Sequence, residues 1–228
     1  MKLLLLFLAT ILTLPVLAQS DPHDINLFQN IGDSRNMYYG LMPKSKGTKG
    51  SPFVFDDMAK GDIIMTNGKI YQGVFINILP EKAEIFIRSE EKEDAKVVIV
   101  ENRKVDKIIY DSPERTFVPM LLEGKTHIAE IIDDGENGKF IALHEKRFNK
   151  ADVGGAYNAG PKYDTYQHVI RYIIINESGV EEIKNGKAGL KSLGKAEWKS
   201  LQNFVKSNNL DMGDPVDMRK IYLHSLAL

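Results

Sequence analysis

The residues best suited to chemistry in this chain are its histidines, at His23, His127, His144, His168 and His224. An imidazole serves as a metal ligand or a general base. A helical zinc pair, however, needs H-E-x-x-H spacing, and "LHEKRF" at 143–148 lacks the second histidine. His127 and His144 fall on neighbouring predicted strands that bring them towards each other, and each is expected to be an exposed or hydrogen-bonded strand histidine rather than a ligand. "DDGENG" at 133–138 invites calcium, yet an EF-hand loop begun at Asp133 puts Gly135 at the third ligand position and His144 where a bidentate Glu belongs. It reads as an acidic turn. Ser192 in "GLKSLG" has neither the G-x-S-x-G pattern nor the preceding strand of a nucleophile elbow. Asp56 with Asp57, and Glu181 with Glu182, are sequence neighbours that a strand aims at opposite faces, so neither pair supplies an acid and a base. No catalytic residue, metal ligand or cofactor is assigned.

One stretch suits recognition better than catalysis. "NKADVGGAYNAGPKYDTYQH" has no apolar period, and a connection of that length, expected at 149–167, often serves binding in a compact domain. Tyr157, Tyr163 and Tyr166 are its candidate binding residues, because a tyrosine presents a rigid ring with a polar tip. Gly154, Gly155 and Gly160 let its backbone bend.

The elements that must position these residues are strands. From Pro52 onward, short runs rich in Ile, Val and Phe alternate with turn residues: "FVF", "DIIM", "KIYQGVFINIL", "AEIFIRS", "KVVIVE", "DKIIY", "TFVPMLLE", "THIAEIID", "KFIALHE" and "QHVIRYIIIN". No gap holds a crossover helix, which disfavours a parallel sheet and the Rossmann and P-loop classes. In "DIIMTNGKIYQGVF" the Gly-Lys step turns the chain; a phosphate loop needs G-x-x-x-x-G-K-[ST] between strand and helix. With Asn67-Gly68 as a two-residue loop, Met65 faces Ile70 and Ile64 faces Tyr71. The same device is expected at Glu123-Gly124-Lys125 and Asn137-Gly138-Lys139. "VVIV" and "YIIIN" are apolar at consecutive positions, so both faces of those strands are covered. After Ile175 the period lengthens. "KAEWKSLQNFVKSNNL" puts Trp198, Leu201, Phe204 and Val205 on one helical face, and a last helix starts with Asp214 as N-cap and Pro215 at the first position. The fold expected is α+β: an antiparallel β-rich domain, as a sandwich or strongly coiled sheets, with a small C-terminal helical cap.

Lys2 precedes an apolar run from Leu3 to Leu17, with Val16 and Ala18 ahead of Gln19, the pattern of a signal peptide cleaved after Ala18. The run is short for a bilayer span and holds Pro15, so no transmembrane anchor is expected. The division expected is a signal peptide at 1–18, a partly irregular leader at 19–51, the β-rich domain at 52–184 and a helical segment at 185–228. In the leader, Tyr38, Tyr39 and Leu41 are candidate anchors. Cysteine is absent, which removes disulfides and thiol catalysis and favours a bacterial envelope protein, periplasmic or secreted. A net charge of −1 with dispersed lysines and arginines leaves no footprint for nucleic acid.

The early hairpin "SPFVFDDMAKGDIIMTNGKIYQGVFINI", the β-rich middle and the tail "KAEWKSLQNFVKSNNLDMGDPVDMRKIY" together resemble a group of signal-peptide-bearing exported proteins of Bacteroidota built on a domain of unknown function. The resemblance spans most of residues 52–223 loosely. It implies envelope location and a β-plus-helix architecture, and it carries over no active-site residue. The leading expectation is a non-enzymatic interaction or binding module with an envelope protein as partner. A periplasmic carrier of a lipid or other amphiphilic ligand is the alternative, and a hydrolase using scattered carboxylates the third.

Overall fold

A computed structural model describes residues 38–39, 48–91, 95–136, 138–151 and 163–228, the first pair by backbone alone. The signal-peptide segment, most of the leader with Leu41, and Tyr157 lie outside the described residues. The fold is α+β and mostly antiparallel sheet. Its strands are β1 Tyr38–Tyr39, β2 Thr48–Lys49, β3 Ala59–Met65, β4 Ile70–Leu79, β5 Glu84–Arg88, β6 Val97–Val100, β7 Val105–Asp111, β8 Glu114–Leu122, β9 Lys125–Gly135, β10 Gly138–Asn149, β11 Asp164–Asn176 and β12 Gly179–Ile183. The helices are α1 Lys187–Gly194, α2 Trp198–Ser207 and α3 Pro215–Leu226. Strand order is β1-β6-β5-β4-β3-β7-β8-β9-β10-β11-β12, with β2 lying parallel against the start of β11.

The first half of the sheet curls. In a flat sheet β6 and β7 would stand roughly 19 Å apart, across β5, β4 and β3. Yet residues 101–104 alone join them, and Val98 and Val100 share one core with Val105 and Ile108. The Thr66 amide donates to the Lys104 carbonyl at 2.9 Å, tying that link to the β3–β4 turn. Ile63, Ile76, Ile78, Ile85 and Ile87 fill the curl with no exposed surface. Phe53, Leu79 and Phe86 cover its back, so "VVIV" is indeed packed on both sides. The expected strand "FVF" is instead an irregular segment, because the buried Asn77 side chain takes its backbone bonds: Oδ1 accepts from the Phe55 amide at 3.2 Å, and Nδ2 donates to the carbonyls of Phe55 and Asp57.

The β3–β4 turn differs from expectation by one residue. Ile64 faces Ile70 and Ile63 faces Tyr71, with a three-residue loop in which Gly68 takes φ +82°. A type I turn followed by a left-handed glycine absorbs the twist that the two-residue loop was expected to carry. Further on, a bulge at Gly61–Ile63 reverses the phase of β4, so Tyr71 and Val74 both reach the core. Glu123-Gly124 does form the two-residue loop, both residues at positive φ. At the third site the ladder closes with Gly135 facing Gly138, so the loop is 136–137 rather than 137–138, with Asn137 outside the described residues.

Beyond β9 the sheet carries the helices on one face. Leu201, Met218 and Ile221 are fully buried against Phe140, Ala142 and Tyr172. Asp214 caps α3 as expected, accepting from the amides of Val216 and Asp217. On the opposite face Leu122 and Ala129 pack on Ile141, Leu143 and Ile173, and Glu123 reaches to 4.0 Å from Arg171. The β8–β9 end therefore folds over β10–β11, which covers "YIIIN" on both sides.

Candidate functional site

The β9–β10 ladder ends where Ala142 faces Glu130. Past that pair β10 runs on to Asn149, paired with β11 alone among the described residues, while β12 joins β11 only from Tyr172 onward. The far half of β10–β11 is thus an arm flanked only by the short β2, which lies against Asp164–Thr165 of β11. Its tip is aromatic and exposed: Phe148 is 50 % and Tyr163 52 % exposed, and Phe148 faces Tyr166 across the ladder with ring centres 5.1 Å apart. The Lys49 ammonium sits 4.4 Å over the Tyr163 ring. Of the three candidate tyrosines, Tyr163 and Tyr166 come together here. Tyr166 lies on a strand, because β11 begins at Asp164, earlier than the end expected for the loop.

The root of the arm holds a buried polar chain. Period two places Ile128, Glu130 and Ile132 on one face of β9. Ile128 belongs to the core of the curl and Ile132 to the helical core, so Glu130 lies on the seam between them. Arg115 donates through Nε to Glu130 Oε1 at 2.6 Å and through a terminal nitrogen to Oε2 at 2.7 Å. Its guanidinium is flanked by the rings of Phe55 and Phe117, at 5.0 and 5.2 Å. His144 Nε2 lies 2.8 Å from Glu130 Oε2, and His144 Nδ1 lies 2.8 Å from His168 Nε2. The carboxylate only accepts, so His144 carries its proton on Nε2, and Nδ1 accepts from the His168 Nε2–H. The imidazole ring centres are 5.0 Å apart, so the rings meet nitrogen to nitrogen in a nearly straight bond.

Burial alone would raise the Glu130 carboxyl, but the hydrogen bonds from Arg115 and His144 outweigh it and hold the group below its ordinary range. Burial holds His144 below the usual imidazole value, against the pull of Glu130. His168, open to solvent on its outer side, is pushed down to about 4 by burial and by its neighbours His144, Lys146 and Arg115. The hydroxyls of Tyr110 and Tyr172 are buried without a hydrogen-bond partner among the described residues.

His144 is a hydrogen-bonded strand histidine, as expected, but it does not approach His127. His127 is on the opposite face of β9 from Glu130, and the ladder to β10 stops before reaching it. Glu130 and Arg115 are not singled out by the sequence, and His168 only as one of five histidines, because their meeting depends on strand register. Of the other carboxylates, Asp134 pairs with Lys139 at 3.1 Å, Glu182 accepts from Arg171 at 2.7 Å and Glu181 from the Ser192 hydroxyl. Among the described residues no three His, Asp or Glu side chains are grouped to hold a metal ion. Comparisons with protein-family models, with curated proteins and with solved structures gave no match.

Proposed function

We propose that this is an exported, non-enzymatic binding module of the cell envelope that grips a protein partner with the tip of the β10–β11 arm. The observation that supports this most is the pairing of Phe148 with Tyr166, beside Tyr163, on strands whose outer half is flanked only by the two-residue β2, at Asp164–Thr165. The half-exposed Phe148 ring on a rigid ladder, with the half-exposed Tyr163 beside the start of β11, supplies contact area at small entropic cost, as binding surfaces require. The clamp of Arg115, Glu130, His144 and His168 fixes the base of the arm, so the tip is held in place before any partner arrives. The carboxylate best placed for chemistry, Glu130, is held by both Arg115 and His144, which leaves it no role as a hydrolase base. A cleft of about 210 Å³ beside β5 and β6, lined by Ala83, Ile99 and Val100 as well as Lys82, Glu84 and Arg103, is small for an amphiphile. Among the described residues no helix is long and apolar enough to cross a membrane.

A photo-crosslinking amino acid at Phe148, in whole cells, tests the assignment. The outcome expected is a discrete protein adduct, lost when Tyr163 and Tyr166 are both alanine and the far-ultraviolet spectrum is unchanged. Equal adducts from a control at Leu226, on the helical cap, would rule the tip out. Export is checked by the mature N-terminus, expected at Gln19.

A further inference from the structure

The arm leaves one strand edge without a neighbour. β9 pairs with β10 only as far as Ala142; beyond that its Ala129 packs on Ile141 and Leu143 from one face, so β9 crosses over the sheet instead of continuing beside it. The β11 side of the arm is closed at both ends, by β2 at Asp164–Thr165 and by β12 from Tyr172. On the β10 side, residues 145–149 pair with β11 alone among the described residues, and all five are at least partly exposed. Every second residue of an antiparallel strand turns both its N–H and its C=O outward, so this edge presents a row of donors and acceptors over about 17 Å.

We infer that the β10 edge at 145–149 takes an extended, acidic segment of the protein partner as an added strand. This rests on the reading of the arm as the docking element, and it names what the partner brings to that element. Main-chain bonds to such an edge give affinity for an extended chain, and the flanking side chains select among chains. Period two sends Lys146 and Phe148 to the face of the clamp, Glu145 and Arg147 to the other. Cations prevail there. Lys146, Arg147 and Lys150 are set against Glu145, which also lies 3.4 Å from Arg171, and Lys49 adds another cation at the tip. Of the nearby acids, Asp56 acts on Lys146 from the irregular segment, and Asp164 is taken up by the Ala151 amide at 2.7 Å. Carboxylates opposite Lys146 and Arg147, one on each face, and an apolar side chain opposite Phe148 therefore suit this edge. A second copy of the chain does not. Pairing 145–149 antiparallel with itself sets Arg147 opposite its own copy and each Lys146 one residue away, and like charges in opposition are destabilising. The cations that keep copies apart admit an acidic strand.

The probe is a short synthetic peptide, alternating Thr and Val around a central Asp-Asp and capped at both ends, titrated into the isotope-labelled full chain and followed by NMR. Saturable shifts centred on 145–149 are expected, with a dissociation constant of about 1 mM or tighter. New exchange protection should appear at every second amide of that stretch. Exchanging Asp-Asp for Lys-Lys in the peptide, or making Lys146→Glu with Arg147→Glu in the chain, should weaken binding at least about tenfold, and the two changes combined should restore it. The matched pair Lys199→Glu with Lys206→Glu, exposed on α2, should leave affinity within about threefold. No shift at 145–149 with millimolar peptide, protection gained at consecutive amides, or charge reversals that leave affinity unchanged overturns the added strand. The two readings fail separately: alternate protection with no adduct at Phe148 sinks envelope docking alone, and a specific adduct with no such protection sinks the added strand alone.

Discussion

Arg115 and Glu130 show how much a side chain's worth depends on its partner. Glu130 is 3 % exposed, and taking it away strands a guanidinium between Phe55 and Phe117 with nothing to neutralise it. Glu130→Ala is expected to lower stability by about 3–5 kcal/mol in urea titration, whereas replacing Arg115 by Met and Glu130 by Leu together should recover most of the loss. The imidazoles make a second prediction. Both bind protons less readily folded than unfolded, so their contribution is complete above the unfolded value near 6.5 and drains away as pH falls towards the folded value of His168, about 4. The urea midpoint should therefore fall between pH 7 and pH 5, and fall less in His168→Gln. The phase of these residues is present in the sequence: Phe140, Ala142 and His144 alternate on one side of their strand, as His168, Ile170 and Tyr172 do on theirs. What cannot be read there is the register that sets Lys146 opposite His168, since a long unpatterned connection separates the two strands.

Single polar groups also decide elements. Asn77 holds the irregular segment with three hydrogen bonds from a side chain that is 0 % exposed, and Asn77→Ala leaves those backbone groups unpaired beside the core. A loss of about 2–3 kcal/mol is expected, read by urea titration, with faster exchange confined to the stretch around Phe55. Asp214→Ala removes the cap of α3 and should lower stability by about 1 kcal/mol, measured the same way. That cap was legible because Asp-Pro followed by apolar spacing is a local signal. The Glu123-Gly124 turn was legible for the same reason. The β3–β4 loop was misplaced by one residue because Thr66-Asn67-Gly68 satisfies either turn, and the bulge at Gly61 belongs to the pairing of two strands rather than to either one. "FVF" has the composition of a strand, and only Asn77, more than twenty residues away, says otherwise.

At the scale of the molecule, β9 joins what would otherwise be two bodies. Ile128 is in the core of the curl, Ile132 in the core under the helices, and a single polar residue on the same face separates them. Unfolding is therefore expected to be one transition. Trp198, the sole tryptophan, lies at the start of α2 and reports on the helical side. Its fluorescence should change together with far-ultraviolet circular dichroism, and Ile76→Ala, in the distant curl, should shift both by the same 2–5 kcal/mol or so. Two separated steps would mean that the seam is a boundary. Antiparallel α+β architecture followed from the alternation of Ile, Val and Phe with turn residues, and strands apolar on both faces allowed a sandwich or strongly coiled sheets; which of the two the chain adopts was not legible, because the curl depends on a four-residue link bringing β6 to β7. The arm has a mechanical corollary. Its two strands are rooted between β9 on one side and β12 on the other, so a tug on the tip loads both ladders lengthwise, and their hydrogen bonds must fail together instead of peeling one at a time.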